Sequence, residues 1–143
     1  MTADAPTFAD FPVGHAATMT WPATAAEIDA FASLSGDHNP MHVDPAFAAA
    51  RGFPDRIAHG MLLAAKLSAF AGMHLPGRSC LLLECSVAWP NPVLAGDVVT
   101  FEGSVKERSA SVGTLKVGFR ARTQRAGRAV TVGRGWYLCK VQS

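Results

Sequence analysis

The chain has 143 residues, a formal charge of +2 with neutral histidines, 49% hydrophobic residues and 17% charged residues. This length fits one domain, residues 1–143, that is large enough to be stable without a metal or a disulfide. The small charge argues against a nucleic acid or a membrane surface as the main partner, and the apolar composition indicates that some surface is buried against a partner, which we expect to be another copy.

The cysteines and the N-terminal residues bear on the cellular compartment. Cys80, Cys85 and Cys139 are odd in number and form no C-x-x-C pair, which indicates neither a disulfide framework nor a zinc site. Residues 1–15 contain no Lys or Arg and no long apolar run, so they do not resemble a secretory signal. The longest apolar stretch, residues 61–73, is interrupted by polar residues and is too short to span a bilayer. We therefore expect a cytoplasmic protein.

The first part of the chain predicts a strand followed by a helix. Residues 1–11 are expected to form a loosely ordered arm, and residues 16–20 a strand. Thr24 and Glu27 have the spacing of a capping box, in which each side chain accepts a hydrogen bond from the backbone of the other residue. Apolar residues then recur at helical spacing, which predicts an amphipathic helix over about residues 25–34.

Ionisable side chains are concentrated in residues 35–44, Ser-Gly-Asp-His-Asn-Pro-Met-His-Val-Asp. Pro40 lacks a backbone N–H and restricts the preceding residue, so we expect this segment to be non-helical. A helix resumes only after Asp44-Pro45, where an Asp N-cap precedes proline at the first helical position. Asp37 and His42 would then be presented from a bend, as reactive groups commonly are. We interpret the segment as a candidate catalytic loop.

The remainder of the chain predicts two more helices and then a sheet. Residues 45–51 are expected to form a short Ala-rich helix, and a longer helix is expected after Ala58-His59-Gly60. Apolar residues surround this longer helix, which predicts that it is buried on all sides. A fold class of α+β follows, with an antiparallel sheet around one central helix. The later strands are expected at residues 80–89, 98–106, 114–123 and 129–141.

Residues 31–63, from Phe-Ala-Ser-Leu-Ser-Gly-Asp-His-Asn-Pro-Met-His to Ile-Ala-His-Gly-Met-Leu-Leu, closely resemble the MaoC-like family of (R)-specific enoyl-CoA hydratases and dehydratases. The family's motif, an Asp and a His with four residues between them, falls on Asp37 and His42. With the looser strand pattern, the resemblance covers nearly the whole chain. It implies a hot-dog fold, in which an antiparallel sheet wraps a long central helix. It also implies a homodimer with active sites at or near the dimer interface.

The resemblance further implies reversible hydration of trans-2-enoyl thioesters to (R)-3-hydroxyacyl thioesters. Asp37 and His42 would hold the attacking water jointly and share the proton transfers. Gly60 opens the central helix, where unpaired backbone N–H groups can stabilise the developing enolate oxygen. The family's helix serine maps to Ser68, one to two turns farther on, and Asn39 shapes the loop. We expect no metal and no organic cofactor, with coenzyme A present only as part of the substrate.

The residues alone leave structural alternatives open. Asp37 could simply end the helix, and His42 could be a structural histidine. His38, His42 and Asp44 could bind a metal, although Pro40 disturbs the helical geometry that would bring the two imidazoles together. We interpret His59 as a packing or hydrogen-bonding residue. Lys66 is unexpected in so apolar a helix, and the resemblance assigns it no role.

Other activities also remain open. The chain could be a 3-hydroxyacyl-ACP dehydratase acting on carrier-protein thioesters, a hot-dog acyl-CoA thioesterase, or a non-catalytic acyl-binding subunit. A group of arginines near the last hairpin is interpreted as a solvated strand face, or alternatively as contacts to the phosphates of coenzyme A or to an acidic carrier protein. These arginines are Arg120, Arg122, Arg125, Arg128 and Arg134.

Overall fold

A computed structural model describes residues 6–142, and the structural statements that follow concern those residues. No helix in this range is long and apolar enough to cross a membrane. The helices and strands, in chain order, are β1 (Ala16–Pro22), α1 (Ala25–Ser35), α2 (Pro40–Val43), α3 (Pro45–Ala49), α4 (Gly60–Met73), β2 (Cys80–Ala88), β3 (Val98–Ser109), β4 (Thr114–Arg125) and β5 (Arg128–Val141).

The five strands form one antiparallel sheet in the order β1-β3-β4-β5-β2. Alternation along β4 sets its faces: Lys116, Gly118 and Arg120 are partly or fully exposed, whereas the residues that alternate with them are buried, namely Leu115, Val117, Phe119 and Ala121. The hairpins β3-β4 and β4-β5 pair sequence neighbours, whereas β2 pairs with β5 at one edge. The predicted strands are confirmed, with β3 and β4 extending two or three residues farther than expected.

Helix α4 packs against the inner face of this sheet. Its buried residues include Leu63, Leu67 and Phe70, and the Phe70 ring lies 6.3 Å from the ring of Phe101 on β3. Gly103 on β3 makes room for that ring, because an added Cβ would lie 2.7 Å from a Phe70 ring carbon. The predicted α+β hot-dog arrangement, a sheet around one long helix, is confirmed.

The expectation that α4 is buried on all sides is wrong for the single chain. Met61 is 61% exposed and Met73 is 76% exposed. Ala65, Ser68 and Ala69 are also exposed. The sheet covers only one face of α4. The opposite face is also apolar, and it is left exposed in the single chain.

The expected loose arm is also corrected over the part that the structure describes. Residues 6–11 contain a 3-10 turn and pack on the sheet, with Phe11 only 4% exposed. The carbonyl of Pro6 accepts a hydrogen bond of 2.8 Å from Ser79 Oγ. Burial of Phe11 and this hydrogen bond hold the segment in place. Residues 1–5 of the predicted arm lie outside the described residues.

The candidate loop contains a helical turn that we did not expect. Helix α2 begins at Pro40, and the side chain of Asn39 caps it by accepting a 3.0 Å hydrogen bond from the Met41 N–H. A proline at the first helical position costs nothing because its missing N–H would be unpaired there in any case. Asp37 therefore lies on irregular backbone, as expected, whereas His42 lies on a short helix.

Candidate active site

His42 is held in one orientation by the main chain. Its Nδ1 lies 2.7 Å from the carbonyl oxygen of Ile57, which can only accept, so Nδ1 carries the proton. Nε2 is left with a free lone pair and faces Asp37 Oδ2 at 3.9 Å. That separation is too long for a direct hydrogen bond, and one water molecule can bridge it.

Asp37 is oriented by hydrogen bonds within the loop. Its Oδ1 accepts from the N–H of Asn39 at 3.1 Å, and its own N–H donates to Ser35 Oγ at 3.2 Å. Oδ2 remains directed at His42, and the Asp37 side chain is 53% exposed. Asn39 thus shapes the loop twice, through its N–H to Asp37 and through its cap on α2.

His59 contacts both Asp37 and His42. It is 2% exposed, and its Nε2 donates to the main-chain oxygen of Asp37 at 2.9 Å. The His59 ring stacks on His42 with 3.8 Å between centroids and meets Phe31 edge-on at 4.9 Å. Its Nδ1 has no hydrogen-bond partner among the described residues. These contacts agree with a packing and hydrogen-bonding residue.

Gly60 and His42 both line a cavity of about 330 Å³. Gly60 begins α4, and intrahelical pairing at this end starts with Leu62, whose N–H donates to the His59 carbonyl at 3.0 Å. The N–H groups of the first helical residues are therefore available to an anion. The other cavity walls are mainly apolar and come from Phe53, Ile57, Ala58, His59, Leu63, Trp89, Pro90, Asn91, Pro92, Val93 and Val132.

Trp89 is a cavity residue that sequence analysis missed. A Cβ added to Gly60 would lie 3.1 Å from an indole carbon of Trp89, so glycine lets the two residues approach closely without a shift of the indole. Trp89 itself is 45% exposed at the end of β2. Its only sequence signal is an aromatic residue directly before Pro-Asn-Pro, which does not specify the helix it will meet.

Ser68 is not brought to this cavity within one chain. It follows Gly60 by eight residues on α4, which is roughly 12 Å along a helix. Its side chain lies on the exposed face of α4, and it is not among the cavity residues. The proposed role of Ser68 thus stays a prediction that needs a second chain.

The residues suggested for a metal site do not form one. His38 is exposed, and Asp44 Oδ1 caps α3 by accepting from the N–H groups of Ala46 and Phe47. A different trio, Asp37, His42 and His59, has ligand atoms within 4.8 Å of one another. However, a metal lies in the plane of each imidazole that binds it, and the rings of His42 and His59 are only 26° from parallel. Two stacked, nearly parallel rings cannot both hold one ion in their planes, so these residues do not fit a metal ion.

The arginines near the last hairpin differ in their burial and in their partners. Arg125 is half-buried and structural, because it donates at 2.5 Å to both Asp97 and the carbonyl of Pro92. Arg122 lies 3.8 Å from Glu102 across the strands. The exposed members are Arg120, Arg128 and Arg134.

Comparison with known proteins identifies relatives of this fold and site. The family model described as MaoC like domain matches residues 10–125. An (R)-specific enoyl-CoA hydratase of Aeromonas caviae is 47% identical over 93 residues, which are 65% of this chain and 69% of the relative. An (R)-specific enoyl-CoA hydratase of Rhodospirillum rubrum is 40% identical over 93 residues, 65% of each protein. The matched region thus spans about two thirds of the length of these relatives.

Solved structures agree over more of the chain. An (R)-hydratase from A. caviae involved in PHA biosynthesis superposes with a TM-score of 0.85 and 37% identity, covering 92% of this chain and 97% of that one. The unliganded R-hydratase PhaJ1 from Pseudomonas aeruginosa gives a TM-score of 0.88 and 33% identity, covering 96% and 86%. The strands and helices that carry the cavity are therefore shared with both proteins.

Proposed function

Since the chain belongs to the MaoC-like domain family, we propose that it reversibly hydrates trans-2-enoyl thioesters to (R)-3-hydroxyacyl thioesters. One observation carries the proposal. The free Nε2 of His42 and Oδ2 of Asp37 face each other across 3.9 Å beside the cavity that Gly60 lines. A water bridging them is held by two acceptors, which orients it for attack.

The chemistry follows from these positions. As the water oxygen bonds to Cβ of the enoyl group, one water proton passes to the Asp37–His42 pair, and the π electrons of the double bond shift towards the thioester oxygen. Backbone N–H groups at the start of α4, that of Gly60 first, stabilise this enolate oxygen. Transfer of a proton from the pair to Cα completes the addition. The Ile57 carbonyl keeps the His42 ring in place throughout.

The mainly apolar cavity walls suit an acyl chain, and the two curated relatives are named for enoyl-CoA substrates. We therefore propose a CoA thioester as the substrate. The exposed Arg120 and Arg134 are cross-strand partners on β4 and β5, and they offer positive charge either to phosphates or to an acidic carrier protein. Parallel assays with CoA and carrier-protein thioesters separate the two substrates.

We propose that the protein is a homodimer joined along β2. This strand is one of the two edges of the sheet, with Leu81, Leu82 and Leu83 each at least 41% exposed. An edge strand with uncovered leucines is a template for pairing. Pairing with β2 of a second copy would extend the sheet and cover the exposed face of α4 that carries Met61 and Ser68.

Location and cofactors belong to the same proposal. The three cysteines are free thiols, although Cys80 and Cys139 lie on adjacent strands. Free thiols are expected in a reducing compartment, which supports the cytoplasm.

The stacked imidazoles of His42 and His59 support a reaction without a metal, since they do not converge on an ion. Water, the two side chains and backbone N–H groups supply every proton transfer and charge stabilisation named above.

The test is the loss of crotonyl-CoA enone absorbance on adding enzyme, with chiral analysis of the 3-hydroxybutyryl product. We expect Asp37→Asn and His42→Ala to lower kcat/KM by at least about 100-fold each, as for a general acid or base. His38→Ala is the matched control, because His38 is an exposed imidazole in the same loop, and it should keep wild-type activity. Full activity in the Asp37 and His42 variants would overturn the site. A free-thiol reagent in the same reaction reports CoA release, which would instead indicate a thioesterase.

A further inference from the structure

Arg56 makes contacts that join two parts of the candidate site. It follows Asp55 in the turn before α4, and its side chain is only 11% exposed. Its Nη1 donates to Oδ1 of Asp29 on α1 at 2.5 Å and to the main-chain oxygen of His42 at 3.2 Å. A largely buried guanidinium needs such partners, because an unpaired charge away from water is costly.

The main chain around Arg56 is also held by hydrogen bonds. Its carbonyl accepts from the N–H of Ala95 at 2.9 Å, and the next residue, Ile57, donates from its N–H to the Met41 carbonyl at 3.1 Å. Ile57 also accepts from Nδ1 of His42. The segment around Arg56 therefore holds α2 by its main chain and by the His42 ring at once.

The contact with His42 meets a need of the short helix. The last carbonyls of a helix have no intrahelical partner, and a cation near a helix C-terminus is favourable. Helix α2 ends at Val43, so the His42 carbonyl is one of these unpaired groups. Arg56 satisfies it and at the same time ties α2 to α1, the helix that leads directly into Asp37.

We propose that Arg56, held by Asp29, is a positioning residue that sets the separation between Asp37 and His42. Arg56 bonds to both Asp29 and the His42 main chain. Asp29 lies on α1, which leads to Asp37, and Asp37 faces His42. Arg56 is not among the cavity residues, so its removal should disturb the pair without removing a substrate contact. This inference rests on the proposed function for its kinetic readout and is independent of it for its spectroscopic one.

The kinetic test compares Arg56→Met, Arg56→Lys and Asp29→Asn with the wild type on crotonyl-CoA. We expect Arg56→Met to lower kcat by about 10- to 100-fold, as is typical when a supporting contact of a reactive group is lost, with KM changed less than about 3-fold. Arg56→Lys should recover part of the activity, and Asp29→Asn should lower kcat less than Arg56→Met. Arg51→Met is the control, because Arg51 is an exposed arginine whose guanidinium lies over the Phe47 ring.

The spectroscopic test uses ¹⁵N NMR of the histidine side chains in the unliganded protein. In the wild type and in Arg51→Met, we expect His42 to be protonated at Nδ1, and in Arg56→Met we expect this signal to shift or to broaden as the other tautomer becomes populated. Asp29→Asn, which keeps the guanidinium, gives a second measurement if Arg56→Met folds poorly. Wild-type kcat together with an unchanged His42 signal in either variant would overturn the inference. If the wild type hydrates no enoyl thioester, the proposed function fails, while the NMR result still decides the role of Arg56.

Discussion

Lys66 on α4 donates a hydrogen bond from Nζ to Oε1 of Glu27 on α1, so the one cation of the central helix is paired with a carboxylate of the helix that leads into Asp37. The other carboxylate oxygen of Glu27 accepts from Trp21 Nε1 at 2.6 Å. The predicted capping box is consequently half formed. Thr24 Oγ1 accepts from the Glu27 N–H at 3.2 Å, while the Glu27 side chain bonds to Lys66 and Trp21. Lys66 is thus a tertiary contact between helices.

The Glu27 contacts predict a pH dependence of stability. Partial burial raises the pKa of Glu27, but the hydrogen bonds from Lys66 and Trp21 and the charge of Lys66 outweigh it and hold the pKa below its ordinary value. A carboxyl whose pKa is lower in the folded state contributes stability above its unfolded pKa of about 4.3 and loses it as the pH falls through the folded pKa. Because the pair is partly exposed and screened by solvent, we expect Glu27→Gln to cost roughly 0.5–1 kcal/mol at pH 7.

Urea unfolding at pH 7 and at pH 3 checks this prediction. The difference in unfolding free energy between wild type and Glu27→Gln should shrink at the lower pH, where Glu27 is increasingly protonated. Glu107→Gln is the control, since Glu107 is 72% exposed and lies 3.6 Å from Lys116. A Glu27→Gln difference that is equal at the two pH values would contradict the prediction.

Gly60→Ala should impair activity more than folding. The added Cβ would press on the indole of Trp89 at 3.1 Å, and Trp89, being 45% exposed, can move outwards. We expect the unfolding free energy to change by less than about 1 kcal/mol. We expect kcat/KM to fall by at least about tenfold, because a small shift at the start of α4 misplaces the donors for the enolate oxygen. Steady-state kinetics and thermal unfolding measure the two effects.

The double variant Gly60→Ala/Trp89→Ala distinguishes the cause. If crowding against Trp89 is responsible, the double variant should be more active than Gly60→Ala. If Gly60→Ala keeps full activity, the close approach of Trp89 has no bearing on the reaction.

Gly103→Ala should destabilise the core where α4 meets the sheet. Its Cβ would lie 2.7 and 2.9 Å from ring atoms of Phe70, which is fully buried and cannot move outwards. Overpacking of this kind costs about 1–3 kcal/mol. Phe70→Leu, which removes the ring, should make the effect of Gly103→Ala smaller, so the two changes should not add. Chemical denaturation of the single and double variants measures this coupling.

Gly72→Ala is the matched control for the core substitution. Gly72 lies within α4, and nothing is within 4 Å of the Cβ it would gain. Alanine is favoured over glycine in a helix by up to about 1 kcal/mol, so this variant should be at least as stable as the wild type. Equal destabilisation by both glycine substitutions would contradict the role assigned to Phe70.

Leu82→Glu should separate the proposed dimer. Leu82 is 41% exposed on the edge strand β2, and burial of a carboxylate in an apolar interface is costly. We expect sedimentation analysis to give the mass of a dimer for the wild type and of a monomer for Leu82→Glu. The control is Val13→Glu, because Val13 is 61% exposed just before β1, at the opposite edge of the sheet. A wild-type monomer, or a dimer that persists in Leu82→Glu, would contradict pairing along β2.

The elements that sequence predicted well depend on local patterns. Alternation from Leu115 to Ala121 predicts β4 because one face of a strand repeats every two residues, and Asp44-Pro45 starts α3 because an Asp cap and an N-terminal proline act within one turn. The spacing of Asp37 and His42 is local in the same sense. Local patterns also misled at α2, where Pro40 begins a helical turn and does not extend the loop, and at the capping box, where the Glu27 side chain bonds to Lys66 and Trp21.

The tertiary structure decided the contacts that complete the site. Arg56 reaches Asp29 across 27 residues, and His59 reaches the Asp37 carbonyl across 22. Trp89 meets Gly60 only because β2 ends beside the start of α4. Residue type and spacing thus determined which groups can react, because those properties are local. Which groups hold them in place was decided by the packing of α1, α4 and the sheet, since such distant contacts depend on how these elements come together and leave no local pattern in the chain.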